Sequence, residues 1–215
     1  MKPRVTLMHG WSYDATVWRE VVPLLSGLDV EVCDLGYFGR AVPPAPCAAP
    51  RIAVGHSFGA LWWLTQADTR WTKLVAINAF PRFTAAPDFP QGVAPRMLDR
   101  MKKRFAVAPA AVLADFQAAA GANVEMGPTL PDDTTALAAG LDALGMLDAR
   151  SAWAERAADI RVLAGRQDAI VPAALTAAAC AAMPDHLRWI ADGGHLLPLT
   201  HAQACANLIL DAAEQ

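Results

Sequence analysis

The stretch from Arg51 to Ala67 constrains this chain more than any other. Arg51-Ile52-Ala53-Val54 is a short apolar, β-branched run, Gly55-His56-Ser57-Phe58-Gly59 follows at once, and Ala60-Leu61-Trp62-Trp63-Leu64-Thr65-Gln66-Ala67 is helix-prone. That order describes a strand, a sharp turn and a helix, with a serine at the apex. The flanking glycines let strand and helix pass close together without Cβ clashes, while the serine is forced into a strained conformation with its hydroxyl at the carboxyl end of the strand. Glycine and serine are common in loops, so the five residues gain meaning only if a base, an acid and an oxyanion hole occur in the right order elsewhere.

The remainder of the chain supplies the frame for such a turn. Val5-Thr6-Leu7-Met8 reads as a buried strand ending at His9-Gly10-Trp11, and Asp14 is placed to cap a helix carrying Val17, Val21, Leu24, Leu25 and Leu28. Val30 to Leu35 is a second strand, and the proline- and alanine-rich run from Ala41 to Pro50 is an extended crossover to the strand before Ser57. Lys73 to Asn78 is a fourth strand. From about Phe80 to Ala158 the rhythm breaks into helical stretches punctuated by prolines, read as a helical insertion over the sheet's carboxyl edge, a lid. Strands then resume at Ile160–Ala164 and Leu187–Ile190, with helices over about Ala173–Met183 and His201–Ala213. Apolar strands alternating with helices predict an α/β fold, a mostly parallel sheet covered by helices on both faces. At 215 residues the expectation is a single domain, 1–215, with a lid insertion at about 80–158.

Composition narrows the partners. A formal net charge of −3 gives no global attraction to nucleic acid or to an anionic membrane surface. The four cysteines lie too far apart for a zinc site or a redox dithiol and read as thiols of a reducing compartment, with no metal and no organic cofactor expected. Met1 to Arg4 is basic, but the apolar run behind it is too short for a signal peptide, and no run approaches the roughly twenty residues of a bilayer crossing. The expectation is a soluble, cytoplasmic protein.

A serine hydroxyl needs a base within reach, itself oriented by a third group. In doubly wound hydrolases the acid and then the histidine follow the serine, each on a loop after a later strand. Gly165-Arg166-Gln167-Asp168-Ala169-Ile170-Val171-Pro172 places Asp168 in the first slot, and Ala191-Asp192-Gly193-Gly194-His195-Leu196-Leu197-Pro198 places His195 in the second. His195 would take the Ser57 proton, and Asp168 would hold the imidazole tautomer. Alone, Asp168 would read as a turn residue and His195 as a packed histidine; their order at strand ends makes the triad reading. Asn78 stands where some such enzymes carry the acid and cannot act as a carboxylate. Asp192 reads as a turn former, His186 and His201 as flanks, and His9 as a brace for its loop. His56 is expected to point away from the serine's partners. For the oxyanion, Phe58 offers its N–H at a helix N-terminus and Trp11 offers the second, with the Trp11 side chain lining the acyl pocket.

His9-Gly10-Trp11, Gly55-His56-Ser57-Phe58-Gly59, Gly165-x-x-Asp168-x-x-Val171-Pro172 and Gly194-His195-x-x-Pro198 together resemble the α/β-hydrolase superfamily. Asn78-Ala79-Phe80-Pro81-Arg82-Phe83, Phe89-Pro90-x-Gly92-Val93-x-Pro95 and Gly140-Leu141-Asp142-Ala143-Leu144 are more narrowly similar to the pimeloyl-acyl-carrier-protein methyl ester esterases of biotin synthesis. Those esterases usually carry Trp and Leu where this chain has His56 and Phe58. The resemblance implies a serine carboxylic-ester hydrolase working through an acyl-enzyme, with a pimeloyl-carrier methyl ester as leading substrate. A broad short-chain carboxylesterase is the alternative, and an idle scaffold used for binding is the rival outside catalysis.

Between Val93 and Phe105 the spacing is helical, with Met97, Met101 and Phe105 on one side and Arg96, Arg100, Lys103 and Arg104 on an adjacent one. The basic stripe is either a solvated face or a platform for an acidic partner such as acyl carrier protein. By resemblance, Arg96, Arg100 and Arg104 would contact the carrier, and Phe116, in Asp115-Phe116-Gln117, would line the substrate pocket.

Overall fold

The computed structural model describes residues 2–66, 70–121 and 129–214. Its centre is a six-stranded sheet of β1 (Arg4–Met8), β2 (Asp29–Val32), β3 (Arg51–His56), β4 (Lys73–Ile77), β5 (Ile160–Gly165) and β6 (Leu187–Ile190). The spatial order is β2-β1-β3-β4-β5-β6, and every neighbouring pair runs parallel. β1, β3, β4 and β5 are buried over almost their whole length, which is why they read as continuous apolar runs, whereas the edge strands β2 and β6 are half-buried. The chain leaves β1 toward one edge and returns at β3 to build toward the other. The carboxyl ends of β1 and β3 therefore flank the topological switch point, where open α/β sheets form their binding crevice.

The helices are α1 (Phe58–Thr65), α2 (Pro95–Phe105), α3 (Pro109–Ala119), α4 (Thr135–Met146), α5 (Arg150–Glu155), α6 (Ala173–Ala179), α7 (Leu197–Thr200) and α8 (Ala202–Glu214). On one face of the sheet α8 lays Cys205, Leu208, Ile209 and Ala212 against Val5, Leu7, Val54 and Val75. On the other, Trp63 of α1 and Trp153 of α5 pack with Ala53, Leu74 and Val162. α2 to α5 all lie between β4 and β5, and α2, α3 and α4 share an apolar cluster with Trp11, Phe58 and Leu61 at the carboxyl edge.

Three local expectations need correcting. The segment after Asp14 is not one α-helix but two 3-10 turns, Ala15–Trp18 and Val22–Leu25. Asp14 does cap the first, accepting the Thr16 N–H. Pro23, with no N–H to give, stands at the start of the second and prevents a continuous helix. α6 stops at Ala179 rather than Met183. In α2 the buried positions are Leu98 and Phe105, seven residues apart and set against α3 and α4, so Met97 turns outward and is 62% exposed beside the arginines.

Among the described residues no helix is long and apolar enough to cross a membrane.

Candidate active site

Ser57 joins β3 to α1 with φ 53° and ψ −121°, a conformation that costs a non-glycine residue about 1–3 kcal/mol and persists only where the surroundings enforce it. The enforcement is visible on both sides. A Cβ on Gly55 would come within 2.3 Å of the Ala60 nitrogen, and one on Gly59 within 2.3 Å of the Met8 carbonyl oxygen. Larger residues would push α1 away from β3 and β1. The Ser57 N–H donates to the Ile77 carbonyl at 2.9 Å, tying the turn to β4.

At the ends of β5 and β6 the next two residues meet. His195 Nδ1 donates to Asp168 Oδ2 at 2.8 Å, while Asp168 Oδ1 accepts the N–H groups of Ile170 and Val171, each at 2.8 Å. That hydrogen bond selects the tautomer with Nδ1 protonated and leaves Nε2 as the acceptor. Gly165 makes the approach possible, since a Cβ there would sit 2.2 Å from the Gly193 carbonyl oxygen. The Ser57 hydroxyl makes no hydrogen bond to His195 among the described residues, a contact that in unliganded serine enzymes often tightens only around substrate.

The loop after β1 closes the other side. A Cβ on Gly10 would lie 3.0 Å from Ser57 Cβ, so this loop abuts the serine, and His9 holds it there. His9 Nδ1 donates to the Gly10 carbonyl at 2.8 Å and Nε2 accepts the Leu35 N–H at 2.9 Å, a brace as the residue order suggested. Phe58 is the first residue of α1, where N–H groups have no partner within the helix. Trp11 directs its side chain into the inserted helices. Its Nε1 donates to the Leu137 carbonyl of α4 at 2.8 Å, and its ring meets Phe116 edge-on at 4.8 Å between centroids. Phe116 in turn stands 6.4 Å from the His195 ring. The inserted helices thus cover the site, and His195 is only 2% exposed.

A cleft of about 240 Å³ is lined by Met97, Arg100, Met101, Arg104, Phe116 and Ile170, among others, so Phe116 belongs both to this cleft and to the contact with His195. Arg100 and Arg104 stand on its wall, and Arg104 pairs with Asp115 at 2.6 Å. Arg96, at the exposed start of α2, is not among the residues lining it. Among the described residues no cluster of three or more His, Cys, Asp or Glu side chains is arranged to hold a metal ion.

Two residues at this site escaped the sequence reading. His56 does not point away: its ring lies 4.9 Å from that of His195, and its Nε2–H donates to the His195 carbonyl at 2.9 Å. Burial, with His195 alongside, pushes the His56 pKa down to about 3 and keeps the ring neutral. Asn78, passed over because it is not a carboxylate, gives its Nδ2–H groups to the carbonyls of Gly194 (2.8 Å) and His195 (2.7 Å) and accepts the Gly165 N–H on Oδ1 at 2.7 Å. Asn78 also has φ 47°, a region asparagine tolerates better than most residues. An asparagine directly after a central strand was the available signal.

Residues 7–208 match the alpha/beta hydrolase family. The chain belongs to that family. It is 29% identical to a pimeloyl-acyl-carrier-protein methyl ester esterase of Aromatoleum aromaticum, over 98% of each chain. It is 27% identical to a biotin biosynthesis bifunctional protein of Cellvibrio japonicus, over 99% of this chain, which spans 48% of that longer protein. Among solved structures, a bromoperoxidase from Bacillus anthracis superposes with a TM-score of 0.82 at 21% identity, over all of this chain and 93% of its own, a likeness of fold.

Proposed function

We propose that this alpha/beta hydrolase is a carboxylic ester hydrolase in which Ser57 attacks the ester carbonyl, His195 takes the serine proton and returns it to the leaving alcohol, and Asp168 stabilises the imidazolium. The observation that carries the reading is the buried His195–Asp168 hydrogen bond at the carboxyl edge, on the same edge as a serine held in a strained turn. The attack converts Ser57 and ester to an acyl-enzyme plus alcohol, and water then releases the acid by the reverse proton path. Negative charge on the tetrahedral oxygen would be met by the N–H groups of Phe58 and Trp11. The helices between β4 and β5 act as the lid.

The substrate we infer is a methyl ester of a pimeloyl chain carried on acyl carrier protein, a role in biotin synthesis supported by the near full-length likeness to the Aromatoleum esterase. The cleft of Arg100, Met101, Arg104 and Phe116 suits that substrate, with arginines at the surface for an acidic carrier and apolar side chains toward His195. A fluorophosphonate probe should label the protein stoichiometrically and fail on Ser57→Ala. Ser57→Ala and His195→Ala should each lower turnover by about three orders of magnitude or more. Activity retained by either variant refutes the triad. A panel of methyl esters, free and carrier-bound, decides the substrate: preference for the carrier-bound pimeloyl ester supports the specific reading, and equal turnover of short free esters favours a broad carboxylesterase.

A further inference from the structure

Each member of the proposed triad sits on a different loop, and hydrogen bonds from the carboxyl ends of β3 and β4 converge on the main chain around His195. The Gly194 carbonyl belongs to the peptide unit before the His195 Cα, and the His195 carbonyl to the unit after it. Asn78 Nδ2 donates to both, at 2.8 and 2.7 Å, so one amide restrains both peptide planes that aim the imidazole. Its Oδ1 meanwhile accepts the Gly165 N–H, three residues ahead of Asp168, and so sets the end of the acid's strand against the histidine loop. His56, adjacent to Ser57, adds a second donor to the His195 carbonyl at 2.9 Å and couples the nucleophile turn to the same point.

We propose that Asn78 and His56 are positioning residues for His195, acting on its main chain rather than on substrate. The chemistry of each is matched to that task. Asn78 must offer two donors and one acceptor at once, which aspartate cannot do: its carboxylate would face two carbonyl oxygens. His56 must donate from Nε2 without placing a positive charge 4.9 Å from the ring that has to become an imidazolium, and full burial keeps it neutral. Its Nδ1 is buried with no partner, so the Nε2–H bond is the polar contact that accounts for an imidazole at this position. Displacements near 1 Å in such arrangements cost on the order of a hundredfold in rate.

The inference rests on His195 being the base, and the test keeps the two apart. Turnover of a soluble p-nitrophenyl ester is measured per fluorophosphonate-titrated site for His56→Leu, His56→Gln, Asn78→Ala and Asn78→Asp, and per mole of folded protein for His195→Ala, with Tm recorded for each. His56→Leu and Asn78→Asp are expected to lose about tenfold or more in kcat with KM changed less than about twofold, and His56→Gln, whose amide N–H reaches the same carbonyl, to recover to within about threefold of wild type. If His56→Leu keeps wild-type kcat per site, or Gln is no better than Leu, the positioning role is overturned even when His195→Ala is inactive. A lower Tm with unchanged kcat per site reveals a purely structural contact and overturns it equally. Should Asn78→Ala fail to fold, the His56 pair decides. An active His195→Ala would instead remove the premise.

Discussion

At His56 an imidazole whose ordinary pKa is 6.5 is pushed down to about 3 by burial and by the neighbouring His195 ring. The unfolded chain takes up that proton as pH falls through about 6.5, whereas the folded protein refuses it until about pH 3, so in this window the unfolded state binds more protons. Stability therefore falls as pH drops from about 6.5 toward 3, by up to about 1.4 kcal/mol per unit from this residue, and is indifferent to it above that range. Between pH 7 and pH 5 the wild-type protein should lose about 2 kcal/mol more unfolding free energy than His56→Gln, read from urea titrations at both pH values. Equal losses would assign the pH dependence to other groups. Whether a histidine beside Ser57 points outward or under its partner depends on the side-chain environment, which one sequence does not contain; the turn itself was legible because Gly55 and Gly59 are required by backbone contacts.

Among the elements, the loop after β1 and helix α4 are locked through Trp11. Gly140 lies within α4, where glycine costs about 1 kcal/mol relative to alanine. A Cβ there would come 2.6 Å from Trp11 Cδ1 and 2.8 Å from the Tyr37 hydroxyl, and the Trp11 ring is held in place by Leu137, Phe105 and Phe116. Overpacking of that kind costs about 1–3 kcal/mol, so sterics outweigh propensity. Gly140→Ala should lower Tm and, by shifting the Trp11 loop, lower kcat for small and large esters alike. A raised Tm with unchanged kcat would show that the Trp11 ring yields freely. Helix existence was readable between β4 and β5, because Pro95 and Pro109 open α2 and α3 with helical spacing behind them. Which side of α2 faces inward was not, since the i,i+4 run Met97–Met101–Phe105 and the i,i+7 pair Leu98–Phe105 are both helical stripes, and packing against α3 and α4 selects the second.

For the whole molecule, a net charge of −3 gives an acidic partner no general attraction. On the proposed docking face, Arg96 and Arg100 of α2 have no ion-pair partner among the described residues, while Arg104 is engaged by Asp115. Replacing Arg96, Arg100 and Arg104 together by glutamine should reduce kcat/KM for a carrier-bound ester by about tenfold or more at low ionic strength, with the deficit shrinking as salt screens the wild type. A small soluble ester should be turned over almost normally. Equal loss on both would place the arginines in the fold of the lid instead of on a docking surface.

The sequence alone determined the parallel α/β architecture, through continuous apolar strands set between helices, and the chain order of Ser57, Asp168 and His195 at strand ends. Both are local or periodic properties, carried by residue type and spacing. Only the tertiary structure decided that β1 and β3 flank the switch point, that Trp11 is anchored in α4, and that Asn78 and His56 grip the His195 main chain. The side-chain bonds of Trp11, His56 and Asn78 join residues more than a hundred positions apart, and their acceptors are backbone carbonyls. Every residue presents a carbonyl, so no residue type at position 137 or 195 could announce which one would be bonded.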